Sequence, residues 1–378
     1  MKPNQRPRML HVHSGFDPGG KELRCVQLVR AFPKADHVIV SGDPERMGAA
    51  RLLQGLGNVT FPKDFPALTG KPWPGRLKKI AAAMAGFDLI LTYNWGAMDA
   101  AMAHTLFADV YRLPPLVHHE DGFNEDEAKR LKKRRNFFRR IALGRCAALV
   151  VPSETLERVA LETWELPRTK VRRIPNGIDV GAFSRAPKAD ALPSLIKRKG
   201  EKWVGTLAGL RAVKNLPAMV RAFAALPEEW NLVIAGEGPE RAAIEAEADR
   251  LGVEHRVHLP GFVDDPARIV GLFDIFALSS ESEQQPISVI EAMAAGVPVA
   301  APDVGDVAGM VAEEQAEFIV APPVGENLAP ALAALAGDDA LRERLGKANK
   351  RKARAEYDAK TMIERYRALY WGIMGRNP

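Results

Sequence analysis

Cysteine is nearly absent from this sequence, and several signals of other protein classes are absent too. Cys25 and Cys146 are the only cysteines in 378 residues, and neither has a second ligand at the spacing of a disulfide framework or a zinc site. No run of about 18 apolar residues occurs, so the sequence predicts no membrane-spanning helix. The first residues are basic but lack an apolar stretch of signal-peptide length, and we therefore expect a cytoplasmic protein.

Two motifs that bind cofactors are also missing. The fingerprint G-x-G-x-x-G, followed by an acidic residue about 20 positions later, is not found at the first predicted turn, which argues against a dehydrogenase. The tripeptide D-x-D does not occur anywhere, although such carboxylates are the usual clamp for a divalent metal on a diphosphate. We therefore expect neither a metal nor another cofactor at the site.

The residues that are present suit a folded protein of two domains. Hydrophobic residues make up 47% and charged residues 26% of the chain, and the length exceeds that of one ordinary hydrophobic core. The formal net charge of +6 would suit a polyanionic ligand, an anionic membrane surface or nucleic acid. Nucleic acid is not expected, because no recognised fold or base-stacking platform accompanies the charge.

Short apolar runs alternate with segments of helical period, which predicts parallel strands connected by helices. The pattern restarts after a segment rich in Pro and Lys between Asn176 and Lys202, which we interpret as a linker. The expected fold class is α/β, with two Rossmann-like, doubly wound domains facing a cleft. The predicted domains are residues 1–180 and 200–354, and a C-terminal helix, about 355–378, packs back on the first domain.

A loop and a helix in the second domain place two carboxylates beside one helix N-terminus. Pro286 opens the predicted helix and Gly296 ends it. Glu283 lies in the preceding loop, after a strand that ends near Ser280, and Glu291 lies inside the helix. Each carboxylate can accept hydrogen bonds from a pair of sugar hydroxyls. One carboxylate would then bind the transferred sugar and the other the ribose.

The same helix N-terminus suits a diphosphate. The first amides of a helix, here those of Ile287, Ser288 and Val289, lack partners within the helix and attract negative charge. The plain alternative is that Glu283 and Glu291 are ordinary solvated residues of a loop and a helix.

The sequence around the two glutamates resembles that of the retaining GT-B glycosyltransferases of family 4. Seven residues separate Glu283 from Glu291, and A-M-A-A-G-V-P-V follows Glu291 at 292–299, as in the glutamate motif of that family. The resemblance implies that Glu283 lies against the donor sugar and that Glu291 binds the ribose. It also implies the GT-B fold and sugar transfer from a nucleotide diphosphate with retention of configuration.

Arg211 and Lys214 lie in the first loop of the second domain, before a predicted helix. Cations at a helix N-terminus would neutralise the diphosphate and substitute for a metal, although they would also suit a solvated loop. Family members usually carry G-R-L-x-x-x-K here. Lys214 matches the lysine, but Gly209 occupies the arginine position, so Arg211 is assigned by proximity alone. The resemblance further implies that the loops of Gly238 and Phe262 border the nucleotide.

Two loops of the first domain are candidates for contact with donor phosphate or acceptor. Gly19 and Gly20 precede a helix and let backbone amides approach a phosphate or a sugar, although a plain turn would need them too. With Glu22 they match a Gly-Gly and glutamate of the family.

The second loop clusters His118, His119, Glu120 and Asp121 after a predicted strand. The resemblance implies that one residue at this strand end contacts the donor sugar, and His119 is the predicted one. His118 and Asp121 are the alternatives, and simple satisfied polar residues are a third interpretation.

A basic segment follows, from Lys129 to Arg145, with Phe137, Phe138 and Ile141 among its charges. Such a run is usually a solvated face. The interleaved apolar residues also suit peripheral contact with an anionic membrane at its inner face, where a lipid-linked acceptor would be presented.

The sequence therefore predicts a glycosyltransferase that moves a sugar from a nucleotide-sugar donor to a glycan or lipid-linked acceptor, in cell-surface polysaccharide or glycolipid synthesis. Two alternatives share the architecture. One is a nucleotide-sugar epimerase, and the other is a non-catalytic homologue that binds a sugar nucleotide or a glycan. The departure at Gly209 leaves the non-catalytic alternative open.

Overall fold

The computed structural model describes residues 6–127, 130–192 and 195–376. The chain divides into two compact units. Unit 1 comprises the residues up to Pro175 together with those from Met362 onward, and unit 2 comprises Asn176–Thr361.

Unit 1 is built on a parallel sheet with the strand order β3-β2-β1-β4-β5-β6-β7. Its central strands are buried along almost their whole length, as expected for strands that helices cover on both faces. The strands are β1 (Arg8–His13), β2 (Asp36–Ser41), β3 (Val59–Thr60), β4 (Leu89–Tyr93), β5 (Leu116–His119), β6 (Ala148–Val151) and β7 (Val171–Arg173). The helices between them are α1 (Gly20–Ala31), α2 (Pro74–Ala83), α3 (Met98–Tyr111), α4 (Lys133–Ala142) and α5 (Glu154–Arg158).

Unit 2 contains a second parallel sheet, with the order β10-β9-β8-β11-β12-β13. Its strands are β8 (Lys202–Leu207), β9 (Trp230–Ala235), β10 (Val257–Gly261), β11 (Ile275–Ala277), β12 (Val299–Pro302) and β13 (Ile319–Val320). Its helices, followed by the C-terminal one, are α6 (Val180–Phe183), α7 (Leu216–Phe223), α8 (Arg241–Arg250), α9 (Ile287–Ala295), α10 (Val307–Met310), α11 (Val324–Gly337), α12 (Asp339–Glu356) and α13 (Ala359–Ile373). The predicted α/β class with two parallel sheets is confirmed.

The C-terminal helix α13 contributes to the core of unit 1 from Met362 onward. Tyr366 and Tyr370 are fully buried there, and the Tyr370 ring meets the edge of Phe32. This burial fixes the end of the chain on the first sheet, because large aromatic side chains lose most of their contact with water there.

The helix α9 begins and ends where the sequence predicts. Pro286 precedes its first residue, and Gly296 follows its last one with a φ of 80°, a left-handed conformation that favours glycine. A Cβ atom on Gly346 of α12 would lie 2.0 Å from the carbonyl oxygen of Gly296. The end of α9 therefore needs glycine on both sides of this contact.

Two details of the chain differ from expectation. The strand predicted to reach Ser280 ends at Ala277. The segment predicted as a linker is not free, because Val180, Phe183 and Leu192 are buried in the core of unit 2. No helix of the described ranges is both long and apolar enough to cross a membrane.

Candidate functional site

Glu283 is held beside Lys214 in the loop between β11 and α9. The hydroxyl of Ser280 donates to Glu283 Oε1 over 2.7 Å, and the Lys214 ammonium contacts the same oxygen. Both charged side chains are largely buried. Buried charges are normally paired in this way, since an isolated charge would lose its hydration. The predicted sugar-binding carboxylate and the predicted phosphate-binding lysine are therefore neighbours.

The backbone of this loop is fixed from two sides. Gly305 has a φ of 61°, and a Cβ atom on it would lie 2.3 Å from the carbonyl oxygen of Glu283. On the other side, the amide of Asn176 donates to Gln285 Oε1 over 2.6 Å. Residues far apart in the chain thus hold the position of Glu283, and the loop is built into the fold of unit 2.

Glu291 lies in the middle of α9 and is half-buried. No hydrogen bond or ion pair joins its carboxyl group to the described part of the chain. Burial raises the pKa of this carboxyl to about 7, because the charged form loses hydration. A carboxyl group kept without a partner in such a position is available to hydroxyl donors from a ligand.

The cations predicted for the diphosphate lie before α7. Arg211 is exposed, and its Nε atom lies 3.6 Å from the position that a Cβ atom on Gly209 would take. The Arg211 side chain thus lies over the glycine that replaces the arginine expected at that position. Lys214 ends a short 3-10 turn, and Asn215 in the left-handed conformation (φ 48°) leads into α7.

The loops after β8, β9 and β10 are joined at the carboxyl edge of the second sheet. The amide of Leu210 donates to the Glu237 carbonyl over 2.9 Å, and the amide of Gly236 donates to the Gly261 carbonyl over 2.9 Å. A Cβ atom on Gly238 would lie 2.4 Å from the Leu210 carbonyl oxygen, so this position needs glycine for packing reasons. Phe262 follows with 57% of its surface exposed, a free aromatic face beside these loops.

The first turn of α9 departs from expectation at one amide. Ile287 and Ser288 begin the helix as predicted. The amide of Val289, which we expected to be free, donates to the Pro286 carbonyl over 3.2 Å. This bond is a turn-type contact, which tightens the start of many helices.

In unit 1, the Gly-Gly loop precedes α1 as predicted. Gly19 caps the helix with an extended backbone, and Gly20 is its first residue. The Glu22 carboxylate folds back to 2.9 Å from the position of a Cβ atom on Gly19, and Lys21 contacts it. Glu22 is buried. In this structure the glutamate covers the helix N-terminus, where a phosphate was expected.

The two histidines predicted for a loop are instead the last two residues of β5, and both are fully buried. They point to opposite faces of the sheet, because neighbouring side chains of a strand alternate. His118 Nδ1 bonds to the Thr92 hydroxyl at 2.8 Å. His119 lies 2.7 Å from the Tyr370 hydroxyl through Nε2 and 3.2 Å from the Thr92 carbonyl through Nδ1.

Neither histidine presents a ring nitrogen to solvent, and this geometry does not favour the predicted contact between His119 and a substrate. Burial, and then the nearby Arg24, lower the pKa of His119 well below its usual value, so that the ring is neutral. Asp121 is the one residue of the cluster that stays partly exposed. Its carboxylate pairs with Arg24, and its amide donates to Asn94 Oδ1 over 2.8 Å.

The basic segment exposes fewer cationic side chains than its composition suggests. Lys129 lies outside the described residues, and the helix begins at Lys133. Arg139 is fully buried and pairs with Glu120 and Glu127, so it cannot contact lipid. Phe138 packs against the core, whereas 65% of the Phe137 surface and 40% of the Ile141 surface are exposed.

Several site residues were not assigned a role from the sequence. Ser280 and Asn176 position Glu283 and Gln285, and Arg24 pairs with Asp121. Asn176 lies in the stretch I-P-N-G-I-D (174–179). This pattern predicts a backbone turn but does not indicate that Asn176 bonds to Gln285. Arg24 lies in a helical pattern that predicts only an amphipathic helix. Such pairings join residues far apart in sequence, and no local signal identifies them.

Comparison with known families covers both halves of the chain. The family described as Glycosyltransferase Family 4 matches residues 18–182, and the family described as Glycosyl transferases group 1 matches residues 188–352. The chain is a family 4 glycosyltransferase. The expected family, the GT-B type of fold and the enzyme class are thereby confirmed.

This glycosyltransferase is similar to several known proteins. It is 25% identical to the D-inositol 3-phosphate glycosyltransferase of Corynebacterium glutamicum over 324 residues, which cover 79% of this chain and 74% of that relative. It is 30% identical to the alpha-monoglucosyldiacylglycerol synthase of Streptococcus pneumoniae over 163 residues, 40% of this chain and 36% of that relative.

Among solved structures, HepE of Anabaena in complex with UDP has a TM-score of 0.80 and 19% identity, covering 97% of this chain and all of that one. At this level of identity the likeness shows that the two proteins share a fold.

Proposed function

We propose that this glycosyltransferase moves a sugar from a nucleotide-sugar donor to a glycan or lipid-linked acceptor, with retention of configuration and without a metal ion. The observation that carries the proposal is the set of Glu283 and Lys214, paired just before α9, and the unpartnered Glu291 in the middle of that helix. HepE has been crystallised with UDP and with UDP-glucose, which supports uridine nucleotides as the first donors to test.

Each of these groups has a task in the proposed donor complex. Glu291 accepts hydrogen bonds from the ribose hydroxyls, and Glu283 accepts them from the transferred sugar. Lys214 and Arg211 neutralise the diphosphate at the N-terminus of α9, where the helix dipole adds to their effect. The exposed ring of Phe262 offers a stacking surface for the base.

The reaction then needs no nucleophile from the protein. The bond between the sugar C1 atom and the phosphate oxygen breaks, and the acceptor hydroxyl oxygen bonds to C1 from the same face. The acceptor proton passes to the departing phosphate oxygen. Negative charge grows on the phosphate as the bond breaks, and fixed cations that stabilise such charge lower the barrier. Lys214 and Arg211 would supply this stabilisation in place of a metal.

A turnover assay tests the proposal. UDP-, GDP- and ADP-sugars are incubated with membrane lipid extract or glycan fragments, with and without EDTA, and free nucleotide and product are measured. We expect acceptor-dependent release of one nucleotide, insensitive to EDTA, and a product that contains the sugar. Loss of turnover in EDTA would contradict metal independence. Epimerised donor without transfer would contradict the transferase assignment for these substrates.

We further propose that helices α3 and α4 rest on an anionic membrane that presents the acceptor. Leu106 and Val110 of α3 are exposed, as are Phe137 and Ile141 of α4. The Thr105 hydroxyl donates to the Ala142 carbonyl over 2.7 Å, so the two helices pack side by side, and we infer that their exposed apolar residues form one surface. Exposed Lys133 and Arg134 flank it. Apolar residues with flanking cations suit the boundary of anionic lipid.

Flotation with vesicles tests this surface. The chain is mixed with vesicles of phosphatidylcholine alone or with phosphatidylglycerol, and the bound fraction is measured at two salt concentrations. We expect binding only with the anionic lipid and less binding at high salt. Phe137→Ser should reduce it severalfold. Trp73→Ser is the matched control, because Trp73 is an equally exposed aromatic residue elsewhere on unit 1. Equal binding by both variants would contradict the assignment.

A further inference from the structure

A group of metal-binding side chains lies buried in unit 1, where Tyr93 stacks on His119. His11 and His13 point to the same face of β1, because residues two positions apart in a strand share a face. Cys25 reaches them from α1 and Tyr93 from β4. All four side chains are fully buried.

The donor atoms of this group are close enough to share an ion. One donor atom each from His11, His13 and Cys25 lies within 4.8 Å of the others. His11 Nδ1 is 3.4 Å from the Cys25 Sγ atom and 3.1 Å from the Tyr93 hydroxyl. An imidazole nitrogen and a thiolate sulfur on one tetrahedral zinc ion are about 3.5 Å apart. His11 and Cys25 already have this separation.

The His11 ring is held in the orientation that a ligand needs. Its Nε2 atom lies 3.0 Å from His37 Nδ1, and His37 Nε2 lies 3.1 Å from the Phe32 carbonyl oxygen. A carbonyl oxygen only accepts, so neutral His37 carries its proton on Nε2 and accepts from His11 through Nδ1. His11 Nδ1 is then the unprotonated atom, and it faces Cys25. Metal-bound histidines are commonly oriented through their other nitrogen in this way.

His13 provides an independent observation. Neither of its ring nitrogens has a hydrogen-bond partner within the described residues, although its ring stacks on Tyr93 with centroids 4.0 Å apart. Buried nitrogens without partners are rare in folded proteins, because they lose hydration and gain nothing in return. A bound ion would give one of them a partner. Hydrogen bonds among the described residues therefore do not account for the burial of His13.

We propose that His11, His13 and Cys25 form a structural zinc site in unit 1, with the Tyr93 hydroxyl close to the fourth position. Two imidazoles and one thiolate suit Zn²⁺, and the Cys25 thiol releases its proton to solvent when the ion binds. The ion ties β1 to α1, the two elements on either side of the Gly19–Gly20 loop. The ion has no part in binding the donor diphosphate, for which no metal is proposed. The ligand positions 11, 13 and 25 match no common zinc motif, so the sequence predicted none.

Measurement of bound zinc tests the site. The full chain is produced in zinc-supplemented medium and dialysed against a weak chelator, and zinc per chain is determined by plasma mass spectrometry. We expect one zinc ion per chain in the wild type. Cys25→Ser and His13→Gln should each retain less than a tenth of it. Cys146→Ser is the matched control, since Cys146 is also buried but packs in a different hydrophobic cluster, and it should keep its zinc.

A wild-type chain without zinc, or a Cys25→Ser chain that keeps it, overturns the proposal. Should the variants fail to fold, cobalt in the wild-type chain decides the question. Co²⁺ bound with a sulfur-to-cobalt charge-transfer band supports the site. Absence of bound Co²⁺, or Co²⁺ bound without that band, overturns it. Nucleotide binding measured on the same samples tests the proposed function separately.

Discussion

The polar residues at the end of β5 in unit 1 and those that follow β11 in unit 2 differ in what their side chains bond to. In unit 1, His119 is fully buried, and Tyr370 and the Thr92 carbonyl occupy its two ring nitrogens. In unit 2, Glu291 is half-buried and lacks a partner among the described residues. A polar group that is satisfied within the fold stabilises it, whereas a group kept without a partner is open to a ligand.

Burial favours the neutral form of one group in each unit, so the two pKa values shift in opposite directions. It lowers the pKa of His119 well below its usual value, which leaves a neutral ring near pH 7. It raises the pKa of Glu291 to about 7, so that this carboxyl changes charge in the physiological range. Sensitivity to pH and to substitution is therefore expected in unit 2 more than in unit 1.

The largest expected effect is on Glu283. We expect Glu283→Gln to lower the rate of transfer by about 10²–10³, the usual loss when one group that stabilises a transition state is removed. Nucleotide affinity should change little. Glu281→Gln is the control, because Glu281 is an exposed carboxylate of the same loop, and it should keep near-normal turnover. A Glu283→Gln chain that retains more than about a tenth of wild-type turnover would contradict the assignment.

A smaller effect is expected on donor binding when Lys214 is changed. Lys214→Gln removes a charge-assisted contact with the diphosphate, and the dissociation constant for the nucleotide should rise about 10- to 100-fold. Titration calorimetry measures this change. The exposed Lys188 of unit 2 provides the control variant Lys188→Gln. An unchanged affinity in Lys214→Gln would mean that the lysine serves only as the partner of Glu283.

The pH dependence of nucleotide binding sharpens the role of Glu291. If the ionised carboxylate accepts from the ribose, affinity should rise about tenfold between pH 6 and pH 8, as the group ionises around its pKa. Glu291→Gln should remove most of this rise, and what remains reports the titration of the nucleotide phosphate itself. An equal dependence of nucleotide affinity on pH in both chains would mean that the Glu291 carboxylate does not bind the ribose.

The same raised pKa affects the unliganded fold. The folded state binds the Glu291 proton more tightly than the unfolded state, so stability should fall as pH rises from about 4.3 to 7. The free energy of unfolding of Glu291→Gln should fall less over this window. Urea denaturation of both chains at several pH values measures the difference.

The smallest functional effect is expected in unit 1. Tyr370→Phe removes the hydroxyl that bonds to His119 and should cost about 1 kcal/mol of unfolding free energy. Turnover with the donor should change less than about twofold, because this contact lies within the core. Thermal unfolding and initial rates on the same preparation test both statements. A large loss of turnover with unchanged stability would indicate that His119 takes part in the reaction, as the sequence predicted.

The sequence predicts the positions of some helices and strands better than those of others. The helix α9 was placed correctly because Pro286 and Gly296 mark its ends by local backbone chemistry. The edge strands β3 and β13, each two residues long, gave no usable pattern, since so short a run shows no periodicity.

Side-chain environments were harder to predict than elements. The burial of His118 and His119 could not be derived, because a strand pattern does not tell which polar residues are satisfied by distant partners such as Tyr370. The same holds for Arg139, which composition assigned to a charged surface and the fold buries against Glu120 and Glu127. The pairing of Lys214 with Glu283 likewise joins two separate loops. Local chemistry specifies turns and helix ends, whereas tertiary packing decides which charges remain exposed.

The most direct test of the account is a thermal-shift panel of UDP, GDP and ADP, each with and without EDTA, on the wild type and on Glu291→Ala. A nucleotide at about 100 times its dissociation constant adds roughly 2.7 kcal/mol to the stability of the protein that binds it. We predict stabilisation by one nucleotide, unchanged by EDTA and weakened in the variant. Stabilisation by none of them, or equal stabilisation of both chains, would contradict a donor site built around Glu283, Lys214 and Glu291.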